Sequence, residues 1–176
     1  MIQRQVGLPA PSFTLESVSY DDNIKEHSLE DYRGRWLILF FYPMDFTFVC
    51  PTEITALSDR HEELQSLDCD VLGVSTDSVY THRAWLHTPQ SDGGLGAIAF
   101  PLGADTTHEV SRAYGVLEEE QGVAQRGLFI IDPDGLIRFQ MTTDGDVGRN
   151  TEEVLHVLQA LQSGGPCAAN GKPNKK

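Results

Sequence analysis

Residues 36–42 (WLILFFY) run without a polar interruption, the pattern of a strand covered on both faces. Pro43 ends the run. From Pro51, the residues Ile54, Leu57, Leu64 and Leu67 recur at spacings that keep them on one side of a helix. Residues 70–75 (DVLGVS) follow as a second short strand, so the order is strand, helix, strand. Residues 78–87 predict another helix and 88–96 (TPQSDGGLG) a loop of turn residues. A brief strand is expected at 100–102, then a helix over 107–114 that stops at Gly115. The runs 127–132 (GLFIID) and 136–141 flank Pro133-Asp134-Gly135, which signals a hairpin. Residues 150–162 predict a last helix, opened by Asn150 with Glu153 three residues on as a capping box.

Strands alternating with helices and closing on a hairpin and a helix define an α/β class, a mixed central sheet flanked by helices. At 176 residues the chain makes one domain, expected over 1–162, with 163–176 as a tail that has little to bury and is expected to be mobile. Thirteen Lys and Arg against twenty-six Asp and Glu leave a net charge of -13, which repels a polyanion and argues against nucleic acid. After Lys25 the lysines are Lys172, Lys175 and Lys176, a small basic flag on an acidic body. No apolar stretch resembles a signal peptide or a membrane span, so the expected compartment is the cytosol.

In that compartment thiols stay reduced, which directs attention to the three cysteines. They form no CxxC, and no histidine pair at ligand spacing stands beside them, so neither a metal site nor a dithiol motif is indicated. Cys50 directly precedes Pro51, a residue suited to the first helical turn, and is therefore the helix cap or its neighbour. A sulfur there meets unpaired backbone N–H groups and the positive end of the helix dipole, both of which stabilise a thiolate. Thr47, one turn earlier, is placed to hydrogen-bond that sulfur or whatever it attacks, and the Pro43 ring to shield it from water. Glu53 carries an opposing charge, so a cation is needed nearby. Arg126, entering a strong apolar run, and Arg149, ahead of the last helix, are the two candidates, and either fits a pair with Glu53. Cys69, at the head of a strand, reads as core. Cys167, in GGPCAANG, reads as an exposed thiol, either incidental or a partner for another sulfur.

The stretch FFYPMDFTFVCPTEI resembles the active-site segment of the peroxiredoxins, in particular the typical 2-Cys group that includes the bacterial alkyl hydroperoxide reductase peroxidase subunit. VGLPAPSF, AWLHTP, GGLG, YGVL, RGLFIIDPDG and VGRNTEEVLHVLQALQ extend the likeness in the same order over residues 6–162. The resemblance implies a thioredoxin-like fold and an active-site set of Pro43, Thr47, Cys50 and Arg126, with Cys50 peroxidatic and Glu53 and Arg149 as supporting ion-pair partners. It also implies reduction of hydrogen peroxide and organic hydroperoxides through a Cys50 sulfenic acid, with no metal, haem or flavin. Cys167 takes the resolving position, opposite Cys50 of another subunit, although Pro166 and Ala168 flank it where the family has Val-Cys-Pro. A homodimer is implied, in the family often assembled into a ring of five dimers, recycled by thioredoxin or by a flavoprotein disulfide reductase.

Rival readings find less. A thiol-disulfide oxidoreductase wants CxxC at the helix start, and a cysteine hydrolase wants a histidine patterned beside Cys50. A ring-forming chaperone or a peroxide-signalling partner is compatible only as an added role. Gly93–Gly96 supply the GGLG loop without the Tyr-Phe helix that makes some members easy to overoxidise. The expected outcome is resistance to sulfinic acid, checked by mass spectrometry of Cys50 after mild peroxide turnover.

Overall fold

A computed structural model describes residues 5–169 and 171. Its elements are β1 (Thr14–Val18), β2 (Ile24–Ser28), β3 (Trp36–Phe41), α1 (Cys50–Asp59), α2 (His61–Ser66), β4 (Cys69–Ser75), α3 (Val79–His87), β5 (Leu102–Ala104), α4 (Glu109–Ala113), β6 (Leu117–Glu118), β7 (Val123–Ala124), β8 (Arg126–Ile131), β9 (Ile137–Thr143) and α5 (Thr151–Ser163). Seven strands make one sheet in the order β2-β1-β5-β4-β3-β8-β9, and β6 pairs with β7 beside it. The three central strands β5, β4 and β3 are parallel, while β1, β2, β8 and β9 add antiparallel edges. This is the mixed sheet with flanking helices that the hydrophobic pattern predicts.

The unbroken apolar run follows from two-sided burial. Ile38, Phe40 and Tyr42 point into one core, shared with Ile54 and Leu57 of α1, Trp85 and Leu86 of α3, and Val154, Leu155 and Leu158 of α5. Leu37, Leu39 and Phe41 point into the other, beside Phe13, Val110, Tyr114 and Phe129. Neither face of β3 meets water, so alternation has no use there.

Some boundaries differ from expectation. The helix foreseen from Pro51 to Leu67 is two helices, parted at Arg60, whose guanidinium pairs with Glu63 at 2.6 Å and with Glu152 of α5. The strand placed at 100–102 begins instead at Leu102. Pro101 has no N–H for the ladder, and Phe100 is taken up edge-to-face against Phe40. The hairpin β1–β2 was not foreseen. Its signals are the alternating exposure of Thr14, Leu15 and Glu16 and a turn in which Asp22 adopts a left-handed φ of 64°. Asn150 caps α5 by accepting from the N–H groups of Glu152 and Glu153, a one-sided cap where a reciprocal box was expected. α5 ends at Ser163, and the chain beyond it forms no further helix or strand among the described residues. Lys172, Lys175 and Lys176, and part of the tail expected to be mobile, lie outside the described residues. No helix among the described residues is long and apolar enough to cross a membrane.

Gly73 shows how closely the central strands meet the first core. A Cβ there would lie 2.5 Å from Phe40 Cζ and 3.0 Å from Leu102 Cδ2, and the Phe40 ring is itself held against Phe100 and Tyr42. Gly73→Ala is expected to cost about 1–3 kcal/mol as overpacking, read as a lower urea midpoint at an unchanged slope.

Candidate active site

β3 delivers the chain to the top of the sheet at Tyr42, and a loop over residues 43–49 leads into α1. Cys50 is the first helical residue, with Val49 as its cap and Pro51 following. Pro51 costs α1 no hydrogen bond, because the first N–H groups of a helix have no partner in any case. The Cys50 side chain is fully buried, yet two polar groups reach its sulfur: Thr47 Oγ1 at 2.9 Å and Arg126 Nη1 at 3.2 Å. Pro43 lies half-buried just past β3.

Thr47 has a single hydroxyl proton and two neighbours, the Met44 carbonyl at 2.8 Å and Cys50 Sγ. The carbonyl only accepts. While Cys50 carries its proton, the S–H donates to Thr47 and the hydroxyl to Met44. Once the sulfur is ionised, the hydroxyl is free to turn its proton to sulfur or to an oxygen bound beside it. Arg126 has no such choice, since a guanidinium only donates.

Glu53, one turn along α1, orients both arginines. Arg126 Nη1 donates to Glu53 Oε1 at 2.5 Å as well as to the sulfur, and Arg126 Nε to the Gly145 carbonyl at 2.7 Å. Arg149 donates to Glu53 Oε2 from Nε at 2.6 Å and from its backbone N–H at 2.7 Å, and to Oε1 from Nη2 at 3.1 Å. Arg149 Nη1 also donates to the carbonyls of Phe41 and Gly127, at 2.8 and 2.6 Å, just past the Phe40–Leu128 pair at which the β3–β8 ladder ends. The guanidinium also lies over the Phe40 ring, 5.5 Å from its centre. Of the two candidate cations, both pair with Glu53 and Arg126 alone reaches the sulfur. All three side chains are at most 5% exposed. Two guanidinium charges on one carboxylate leave a net positive charge, which an ionised Cys50 brings to zero.

The other two cysteines stand apart. Cys69 is buried at the head of β4, and burial, with Asp70 beside it, pushes its thiol up to about 12, in keeping with a core role. Cys167 is exposed, and among the described residues its sulfur meets carbonyls of its own turn, Ala168 at 3.6 Å and Gly171 at 4.0 Å. Sequence reasoning passed over Asp45, buried two residues before Thr47, and His82 of α3, which meets it at 2.6 Å. They are 37 positions apart, and local spacing carries no trace of the contact.

Residues 6–140 match the AhpC/TSA family. Over 178 aligned residues, all of this chain and 99% of the relative, the sequence is 54% identical to YkuU of Bacillus subtilis, provisionally named a peroxiredoxin. It is 51% identical to peroxiredoxin-2 of Rattus norvegicus, covering 96% of this chain and 86% of that one. The reduced 2-Cys peroxiredoxin of Plasmodium vivax superposes with a TM-score of 0.94 at 36% identity, over 99% of this chain and 92% of that chain. The chain therefore belongs to the AhpC/TSA family and is a peroxiredoxin, a thiol peroxidase on a thioredoxin-like fold.

Removing the shared carboxylate leaves two buried cations facing each other. Glu53→Gln is expected to destabilise the fold by about 3–5 kcal/mol, the usual cost of breaking a buried ion pair from one side. Urea unfolding checks it, and a loss below about 1 kcal/mol would mean that the arginines find other partners.

Proposed function

We propose that Cys50 is the peroxidatic residue, acting on hydrogen peroxide and organic hydroperoxides. The observation that carries this reading is the convergence of Thr47 and Arg126 on one buried sulfur. The Cys50 thiolate attacks the terminal peroxide oxygen. An S–O bond forms as the O–O bond breaks, the sulfur loses two electrons, and the leaving alkoxide or hydroxide takes a proton to become alcohol or water. Thr47 and Arg126 hold the peroxide and stabilise charge moving onto the leaving oxygen, and Pro43 screens the sulfur from water. Glu53 and Arg149 keep Arg126 in place.

Cys167 is the resolving thiol in this reading. Its attack on the Cys50 sulfenic acid forms a disulfide and releases water, and thioredoxin or a flavoprotein disulfide reductase returns both thiols. The exposure of Cys167 supports it, since a resolving sulfur must be able to reach another chain. The partner is a second copy of the chain, in a homodimer that can build a ring of five dimers. Met44, Phe46 and Phe48 of the 43–49 loop, the last at 95% exposure, and Tyr80 of α3 at 67% are exposed apolar side chains, surface that favours assembly. Residues 1–162 act as the catalytic domain and 163–176 as the tail carrying the resolving cysteine, in a cytosolic protein.

A non-reducing gel run before and after one equivalent of hydrogen peroxide tests the scheme. A covalent dimer is expected from the unaltered chain and from neither Cys50→Ser nor Cys167→Ser, while Cys167→Ser still consumes one peroxide per chain. A product that stays monomeric would move resolution into one chain or to an outside thiol.

A further inference from the structure

Asp45 sits in the loop between β3 and α1, and its side chain is fully buried together with that of His82. Asp45 Oδ1 accepts from the Tyr42 hydroxyl at 2.7 Å, and Oδ2 lies 2.6 Å from His82 Nδ1. The Asp45 backbone N–H donates to Asp77 Oδ2 at 2.9 Å, an oxygen that also accepts from Ser75 Oγ at 2.6 Å. β3, α3 and the segment after β4 thus all grip the loop at one residue. The next residue, Phe46, has a left-handed φ of 61°, a conformation an aromatic residue keeps only when its surroundings impose it. Thr47 follows directly.

The far side of the imidazole decides where the protons are. His82 Nε2 lies 2.9 Å from the Gly103 carbonyl on β5, which can only accept, so Nε2 carries a hydrogen. In a neutral ring that is the single N–H. Nδ1 and Asp45 Oδ2 would then oppose two lone pairs at 2.6 Å, a contact that requires a proton between them. Tyr42 does not supply it, because its hydrogen is used on Oδ1 and its oxygen stands 3.3 Å from Nδ1. The pair holds one buried proton, as imidazolium with carboxylate or as imidazole with carboxylic acid, with zero net charge either way.

Resting on the peroxidase reading of Cys50, we propose that Asp45 and His82 are positioning residues, holding the 43–49 loop and its Thr47 in register with the sulfur through one shared proton whose loss frees the loop. The groups that face the pair agree with this. Tyr42, directly after β3, has its hydroxyl raised well above the ordinary value by burial and by Asp45, and remains a donor. Burial, with Asp77 nearby, raises the Asp45 carboxyl against the lowering effect of His82 and Tyr42. β5 offers only the Gly103 carbonyl, and among the described residues no lysine or arginine bonds to the cluster. Because the fold raises the Asp45 carboxyl, it binds that proton more tightly than the unfolded chain does, and this contribution is lost as pH rises. Asp45, Asp77 and His82 also have ligand atoms within 4.8 Å of one another. Adjacent ligands of a tetrahedral ion stand about 3.3 Å apart, however, and the 2.6 Å contact fits a proton and not a metal.

Asp45→Asn separates this from a merely structural role. Its amide would donate to a neutral His82 Nδ1 and its carbonyl accept from Tyr42, keeping each bond without a titrating proton. The test is the stopped-flow rate of Cys50 oxidation by hydrogen peroxide from mildly acidic to alkaline pH. The unaltered protein is expected to slow as pH rises toward the alkaline end and the pair gives up its proton, and Asp45→Asn to stay within about threefold of it at neutral pH without that fall. His82→Phe, which loses the grip on the loop, is expected to react about 10–100-fold more slowly throughout. In the unaltered protein a downfield proton NMR signal from His82 Nδ1 should fade over the pH range in which the rate falls. An Asp45→Asn profile that keeps the alkaline fall, a His82→Phe rate equal to that of the unaltered protein, or a His82 signal that is missing or does not follow the rate would overturn the positioning role alone. No Cys50 oxidation in any form of the protein would overturn the peroxidase reading and this role with it.

Discussion

The site depends on a single carboxylate, Glu53, held between two guanidinium groups out of water. Burying three charges is expensive, and it is tolerated here because the carboxylate's acceptors are filled and most of the guanidinium donors have partners. Glu53 accepts four bonds. Arg149 Nη1 donates to the Phe41 and Gly127 carbonyls, while Arg126 donates to Gly145 from Nε and to the Cys50 sulfur from Nη1. Because the cluster ties α1 to β3, β8 and the segment before α5, the place where the sulfur sits is also the place where four parts of the chain are locked together.

The sheet makes this possible by bringing two strand ends to one level. β3 and β8 are antiparallel neighbours, so the end of one strand, which leads to Cys50, lies beside the start of the other, which carries Arg126. A helix start and a cation 76 positions apart thereby meet over the last rung of one ladder. The Asp45–His82 contact repeats the arrangement on the next strands, where α3 leans over β5 and reaches back to the loop. One contact reaches the Cys50 sulfur and the other the loop that carries Thr47.

Much of this was legible beforehand, and unevenly. Strand β3, the hairpin at Pro133-Asp134-Gly135 and the final helix follow from patterns local to a few residues, which survive any tertiary context. The β1–β2 hairpin is made of short, half-exposed strands whose alternation is weak. The break at Arg60 falls where that residue meets Glu152, far away in the chain. At the site, Cys50, Thr47 and Glu53 were visible as neighbours within one turn of a helix start, and the two arginines as the cations near enough to strand and helix starts to matter.

The sequence by itself determined that a thiol stands at a helix start with a hydroxyl one turn before it, a short-range arrangement governed by backbone geometry. It also determined the two-sided burial of the central strand and so the class of fold. Only the tertiary structure decided that both arginines share Glu53 while one alone touches sulfur, and that Asp45 meets His82. Those are contacts between distant segments, fixed by strand order and by which hydrogen-bonding groups are left over once the sheet has closed, and no local pattern encodes them.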